Sequence, residues 1–260
     1  MTVWAAAAAT FGAILAAAAL VLPIRRRTVA AVACAAYCLA AIGSGTLPHS
    51  LWLELFVPAV LLLAGYWLSG LFYRDPQPWL EAFLMRSDAH LMNRFGLKGW
   101  LKSSPRWMLE ALEVTYAADY AVVAVGAIVA AIHGAAAVTG YWGLVLSAEL
   151  ACYVALPWLR SRPPRVLEPA GAFDARAVTM RRVNVAILDC ASVQANTIPS
   201  GHVAGAVAAA LAVIPLNAAI GSVLLAASVA IAVAAVAGRY HYFVDCVSGA
   251  SVAIVAASLL

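Results

Sequence analysis

Two histidines and an aspartate stand in short polar segments of an apolar C-terminal third. His202 follows Pro-Ser-Gly at residues 199–201, and His241 precedes Asp245 by four residues. A histidine can transfer a proton or attack as a nucleophile, and a carboxylate beside it fixes the tautomer and stabilises the imidazolium. Because residues four apart share a face of a helix, Asp245 is predicted to bond His241 and leave its other nitrogen free to attack.

Groups that bind anions flank these histidines. The Pro-Ser-Gly turn leads into a predicted helix, whose first backbone amides are unpaired and whose positive end attracts an anion. Arginines occur in the segment 160–165 and again before His241, and guanidinium groups match phosphate oxygens with paired donors. Simpler interpretations are a plain helix cap and arginines that only set membrane topology. The candidate phosphate contacts are Arg162, Arg165, Ser200, Gly201 and Arg239.

The elements that must position these residues are membrane helices. The chain has 260 residues, of which 65% are hydrophobic and only 11% charged, which excludes an ordinary water-soluble domain. A bilayer-spanning helix needs ~20 apolar residues. We therefore predict an all-α, multi-pass membrane helical bundle with about eight spans, at roughly 3–22, 28–46, 51–73, 109–132, 137–158, 201–216, 218–238 and 241–259.

The positively charged residues all lie on one side of the membrane when the spans are arranged in this way. All 16 Lys and Arg residues fall there, and so do both histidines, because the sixth span leaves that side and the seventh returns to it. Positive charge favours the cytoplasmic side, which predicts a cytoplasmic site. The connection 74–107 mixes aromatic and basic residues and predicts an amphipathic segment at the headgroup level.

Pro199-Ser200-Gly201-His202, followed about 40 residues later by His241-x-x-x-Asp245 with an arginine-proline segment upstream, resembles the type 2 phosphatidic acid phosphatase (PAP2) superfamily. The resemblance implies a six-helix core within residues 51–260, with residues 1–50 as an additional N-terminal pair of transmembrane helices. It implies that His241 is a nucleophile forming a phosphohistidine, that Asp245 orients it, and that His202 protonates the departing alcohol. The candidate contacts above would hold the phosphoryl oxygens.

Two features depart from the familiar motifs. A lysine seven residues before the Arg-Pro is absent, because the equivalent position is Ala155 or Trp158. The arginine that usually precedes the nucleophile by six residues is here Arg239, only two residues before it. The run Arg-Tyr-His-Tyr-Phe-Val-Asp is more similar to the inositol phosphorylceramide synthase-like branch, whose members are phosphotransferases that resolve the phosphohistidine with an alcohol.

The resemblance implies hydrolysis of a lipid-linked phosphate monoester or diphosphate, with transfer to an alcohol as the alternative. No metal or other cofactor is expected, because arginines supply the positive charge. The expected partners are a lipid phosphate substrate and the bilayer, without nucleic acid, and the oligomeric state is open. The expected location is the bacterial inner membrane. Members of this superfamily usually act on the extracytoplasmic side, in contrast to the cytoplasmic site that the positive charges predict.

Two carboxylates lie in the predicted fourth and fifth spans. Asp119 and Glu149 are expensive in hydrocarbon, so they are expected to face a partner or a polar cavity. They would serve either as interhelical hydrogen-bonding groups or as the intramembrane charges of a transporter. A transporter is therefore the non-enzymatic alternative.

Overall fold

A computed structural model of the chain describes residues 1–47, 50–168, 173 and 176–260. These residues form thirteen helices and no strand, which confirms the predicted all-α bundle. The helices are α1 Val3–Val21, α2 Arg27–Ser44, α3 Leu51–Gly70, α4 Pro78–Arg94, α5 Leu97–Ser103, α6 Arg106–Ala117, α7 Asp119–Ile132, α8 Ala135–Tyr153, α9 Pro164–Leu167, α10 Thr179–Ala191, α11 Gly201–Val213, α12 Ala218–Ala237 and α13 Phe243–Leu259.

The membrane-spanning candidates follow the predicted apolar stretches. Five helices of 18 to 20 residues, α1, α2, α3, α8 and α12, are long and apolar enough to cross a bilayer. Helices α6 and α7 form a sixth candidate, and α11 and α13 are shorter apolar helices. The predicted single helix over 109–132 is corrected, because α6 and α7 meet at a bend of 46°. The Ala118 N–H bonds to the carbonyls of both Val114 and Thr115, a tightened last turn that ends α6.

Helix α11 lies at the centre of the bundle and carries His202 in its first turn. It packs against α7, α8, α12 and α13. Small residues permit this close approach: a Cβ on Gly201 would overlap the Tyr153 ring, and one on Gly205 would overlap the Glu149 carboxylate. The sequence of α11 therefore places its N-terminus inside the bundle, against α8.

The N-terminal helices pack against the rest of the bundle. Helix α1 contacts α2, α3 and α8. The indole Nε1 of Trp4 donates to Glu54 Oε2 at 2.7 Å, and the Thr139 hydroxyl donates to the same oxygen at 2.9 Å. These two bonds tie α1, α3 and α8 together. The separation of residues 1–50 as a unit of their own stays a prediction.

Helices α4 and α5 lie beside the bundle at the end that carries both histidines. The exposed side chains of these helices and of the short turn between them include Trp79, Phe83, Phe95 and Trp100. Their inner faces reach the polar loops, since Glu81 of α4 bonds to Arg162 and Asp88 to Arg239. Aromatic side chains of this kind are typical of a membrane–water interface.

Candidate active site

Backbone hydrogen bonds join the first and third motif segments. The Arg165 N–H, in α9, donates to the carbonyl of Arg239 at 2.8 Å. The Tyr242 hydroxyl donates to the carbonyl of Arg162 at 3.2 Å. The arginine-proline segment and the turn that carries His241 are therefore held side by side, although about 80 residues of sequence separate them.

The second motif is tied to both of the others. The Asn196 N–H donates to the Ser161 carbonyl at 2.9 Å in an isolated antiparallel bridge. The Ser200 N–H donates to the Asp245 carbonyl at 2.9 Å, and Gly249 lets the two backbones meet because a Cβ there would overlap Ser200. Three distant polar segments thus form one site.

Asp245 holds His241 by a geometry different from a shared helical face. His241 lies two residues before α13 begins, and Asp245 is the third residue of that helix. The carboxylate reaches back over the helix N-terminus, where Oδ2 accepts from the Tyr242 N–H at 2.9 Å and lies 3.5 Å from His241 Nδ1. A carboxylate at this helix position is favourable. Because Nδ1 faces the carboxylate, Nε2 is the nitrogen left for chemistry.

His202 faces His241 across a short gap. The two ring centres are 5.7 Å apart, with an angle of 57° between the ring planes. His202 is partly exposed, whereas His241 is buried. Tyr116 and Tyr120 flank the His202 ring at 5.9 and 6.3 Å between centres. Within the described residues, neither Nδ1 atom makes a hydrogen bond, so Asp245 approaches His241 Nδ1 at 3.5 Å without the bond that the sequence predicted.

Two of the candidate phosphate-binding arginines are already paired. Glu81 accepts two bonds from the Arg162 guanidinium, at 2.9 and 2.8 Å, and these bonds lower the pKa of the Glu81 carboxyl. Arg239 is buried between Asp88 and Glu168, with its Nη2 at 3.0 Å from Glu168. Arg239 also adopts a left-handed φ of 62°, which costs about 1 kcal/mol. Its ion pairs hold the turn that presents His241.

Arg165 differs from these two arginines. Among the described residues it has no carboxylate partner, and its guanidinium lies 5.9 Å from the centre of the Tyr240 ring. It is near enough to His202 for its charge to act on that ring. Burial lowers the pKa of the Arg165 guanidinium from its usual value. A desolvated cation without a counter-ion favours the binding of an anion.

Ser200 and Gly201 lie where the sequence placed them, at the start of α11. The Ser200 hydroxyl accepts from the Val203 N–H at 3.4 Å and caps the helix. Both residues are buried against α8 and α13. Their contact with a phosphoryl group stays a prediction.

Sequence reasoning missed a buried polar network behind the third motif. Glu113 accepts from Arg181 Nη1 at 3.2 Å and from Asn184 Nδ2 at 2.7 Å. It also accepts from the Tyr240 hydroxyl, and the Tyr240 ring stacks on Tyr116 at 3.8 Å. The partners are 68 to 127 residues apart, so no local spacing could have identified them.

Asn196 is a second residue that the sequence did not single out. It is fully buried, and its amide bonds to the Ser161 hydroxyl at 3.1 Å. Its side chain also lies within hydrogen-bonding reach of the Asp245 carboxylate. The oxygen and the NH2 group of a side-chain amide have nearly the same shape, so the amide fits the same space in either of two orientations. In the opposite amide orientation, the NH2 would donate to Asp245 and the oxygen would accept from the Ser161 hydroxyl, which gives partners to Asn196 Oδ1 and Asp245 Oδ1, two atoms that lack one in the described part of the chain.

A cavity of about 700 Å³ opens beside His202. Its walls come from α3, α7, α8 and α10, and most of them are apolar. His202 stands at its edge, and the carboxylates of Asp119 and Glu149 line it. In the described parts of the chain, no group of three or more His, Cys, Asp or Glu side chains is arranged to hold a metal ion.

A histidine pair next to an apolar cavity in a membrane bundle, beside an arginine that has no carboxylate partner among the described residues, suits phosphoryl transfer from lipids. Comparison with known families agrees: the sequence profile of the PAP2 superfamily matches residues 83–259, more than half of the chain. The chain belongs to the PAP2 superfamily, whose members are phosphatases or related phosphotransferases. Comparisons with curated proteins and with solved structures gave no match. Similarity to the inositol phosphorylceramide synthase-like branch stays a prediction.

Proposed function

We propose that this chain is an integral-membrane lipid phosphatase that hydrolyses a lipid-linked phosphate monoester or diphosphate through a phosphohistidine at His241. One observation supports this most strongly. The His202 and His241 rings lie 5.7 Å apart, one beside Asp245 and the other at the edge of an apolar cavity. A phosphoryl group between the rings would meet a nucleophile on one side and an acid on the other.

In the first half-reaction, His241 Nε2 attacks phosphorus and the bond from phosphorus to the lipid oxygen breaks. Protonated His202 gives its proton to that oxygen, so the lipid leaves as an alcohol, or as a phosphate when the substrate is a diphosphate. Asp245 stabilises the positive charge that develops on the His241 ring. Arg165 neutralises charge on the non-bridging oxygens, a task that a metal ion performs in other phosphoryl-transfer enzymes.

In the second half-reaction, water attacks the phosphohistidine. The neutral His202 left by the first step accepts a proton from that water, and the phosphorus–nitrogen bond breaks. Inorganic phosphate departs, and both histidines return to their starting protonation states. The same residues therefore serve both steps in opposite directions.

Transfer to an alcohol is the alternative that shares the first half-reaction. It is supported by the form of the segment 239–245. To distinguish the two, a lipid phosphate monoester labelled on phosphorus and, separately, a phosphodiester lipid with a labelled headgroup are each supplied together with a lipid alcohol. Label released from the monoester as inorganic phosphate supports the phosphatase, whereas label from the phosphodiester that appears on the alcohol indicates a phosphotransferase.

A transporter is the non-enzymatic alternative, favoured by the two carboxylates in the cavity wall. It predicts movement of a substrate across sealed vesicles that survives replacement of both His202 and His241. The phosphatase predicts no such movement.

The proposed function is tested by phosphate release from purified full-length chain. The panel comprises phosphatidic acid, phosphatidylglycerophosphate, a polyprenyl diphosphate and a sphingolipid phosphate. His241→Ala should reduce turnover of the preferred lipid by about a thousandfold or more, because the nucleophile is lost. His90→Asn, at an exposed histidine of α4, serves as the matched control and should retain activity. Undiminished turnover by His241→Ala would rule the proposal out.

A further inference from the structure

The wall of the cavity beside His202 includes six polar side chains that the proposed chemistry does not use. We call this set the polar belt, and its members are Tyr66, Asp119, Tyr120, Glu149, Tyr153 and Ser192. The rest of the cavity wall is dominated by aliphatic and aromatic side chains from α3, α7, α8 and α10. A belt of this kind inside an apolar cavity can orient a ligand that is otherwise hydrophobic.

The two carboxylates of the belt do not hold helices together. Glu149 Oε2 accepts from the Tyr153 hydroxyl at 2.7 Å, within the same helix. Asp119 is 6% exposed, and within the described residues its Oδ1 atom has no hydrogen-bonding partner. The interhelical bonds expected of them from the sequence are therefore missing in the described part of the chain.

The position of these carboxylates is fixed by packing. Glu149 lies against Gly205 of α11, where any Cβ would overlap it. Asp119 is the first residue of α7, at the bend that follows α6. The two groups lie close enough for their charges to interact. Two acceptors without enough donors are costly in an apolar cavity, so a ligand that brings an O–H or N–H group would be stabilised there.

We propose that the polar belt binds a hydroxyl or amide N–H on the lipid backbone, close to the phosphoester, and so selects lipid phosphates that carry such a donor. This inference rests on the proposed function. His202 and the belt line the same cavity, so the donor would lie within a few bonds of the oxygen that His202 protonates. The hydrocarbon chain would extend along the apolar wall formed by α3 and α7.

The test compares two lipids that differ by one donor. The first is a 1-oleoyl-glycerol 3-phosphate with its free 2-hydroxyl, and the second is its 2-O-methyl ether. The wild-type chain should show a kcat/KM about tenfold or more higher for the hydroxyl lipid, since leaving a buried acceptor without its donor costs about that factor. In Asp119→Leu this ratio should fall towards one.

Two further variants serve as an alternative substitution and as a control. Asp119→Asn preserves volume and keeps only one acceptor oxygen, so it should also lower the ratio if the leucine variant does not fold. Ser228→Ala is the matched control. It removes a buried hydroxyl of α12 that bonds to the Leu224 carbonyl of the same helix, and it should leave the ratio unchanged. A wild-type ratio near one, or an unchanged ratio in both Asp119 variants, would overturn the inference.

The outcomes separate the inference from the proposed function. Equal hydrolysis of both lipids overturns the inference alone, and hydrolysis of no lipid phosphate overturns the proposed function. Binding provides a readout that does not need turnover: His241→Ala should retain the hydroxyl lipid over the ether by native mass spectrometry. Equal retention of the two lipids would also overturn the inference.

Discussion

Replacement of Asp245 by asparagine isolates the electrostatic part of the proposed mechanism. The Asp245 carboxylate lies 3.5 Å from His241 Nδ1 and is fully buried. At that distance and an effective dielectric constant of ~20, a negative charge stabilises an imidazolium by about 5 kcal/mol. Since each 1.36 kcal/mol changes a rate about tenfold, Asp245→Asn should lower kcat by about three orders of magnitude.

The same substitution should change stability little. The asparagine oxygen can still accept from the Tyr242 N–H, a bond of 2.9 Å in the native chain, so the helix keeps its cap at a cost of about 1 kcal/mol. The assay is single-turnover phosphate release in detergent micelles, with thermal melting measured in parallel. Asp189→Asn, at an exposed carboxylate of α10, is the matched control. A folded Asp245→Asn variant with more than about a tenth of the wild-type kcat would refute this reasoning.

Three further predictions follow from the site. Arg165→Gln should lower kcat/KM by about a hundredfold or more, whereas Arg162→Gln should lower it less than about tenfold because Glu81 already binds that guanidinium. Steady-state kinetics measure both losses, and equal losses would contradict the assignment of Arg165 as the phosphate-binding arginine. Asn196→Asp should lower kcat with KM little changed, because it places a second carboxylate beside Asp245. Asn196→Ser should have a kcat between those of Asn196→Asp and the wild type. Full activity in Asn196→Asp would contradict a positioning role for Asn196. Cys190 is exposed on α10. In a variant that keeps it as the single cysteine, it should react with an impermeant maleimide only after bacterial spheroplasts are opened, whereas a single cysteine that replaces His133 should react in intact spheroplasts. Reversed labelling would place the site on the extracytoplasmic side.

Much of the fold was predictable because membrane helices follow a simple rule. Backbone groups in hydrocarbon must be paired within one segment, so apolar stretches of sufficient length become helices. Each of the eight predicted stretches corresponds to a helix or a bent helix pair. The bend at Ala118 was not predictable, since no proline or glycine marks it.

The site was predictable where chemistry depends on short spacing. His241 and Asp245 are four residues apart and do meet, although through the start of α13 rather than along a helical face. His202 and His241 come together because two spans connect them and return the chain to the same end. The network around Glu113 and the pairing of Arg239 with Asp88 depend on contacts over long sequence distances, which spacing alone does not reveal.

The arginines show most clearly what sequence could not decide. Arg162, Arg165 and Arg239 are equivalent as residue types, and all three were candidates to bind phosphate. In the described part of the chain, the positions of Glu81, Asp88 and Glu168 separate them, because ion pairs occupy the guanidinium groups of Arg162 and Arg239. The local density of charge predicted an anion site, but not which cation remains available for it.

Trapping of the covalent intermediate tests the central proposal most directly. The purified chain is mixed with 32P-labelled lipid phosphate, quenched in alkali within milliseconds, and mapped by peptide analysis. We predict an alkali-stable, acid-labile label on His241 that is absent from His241→Ala. In His202→Asn the label should still form from an aryl phosphate, whose leaving group needs no acid. Turnover without any trapped label, or label on a residue other than His241, would contradict the proposal.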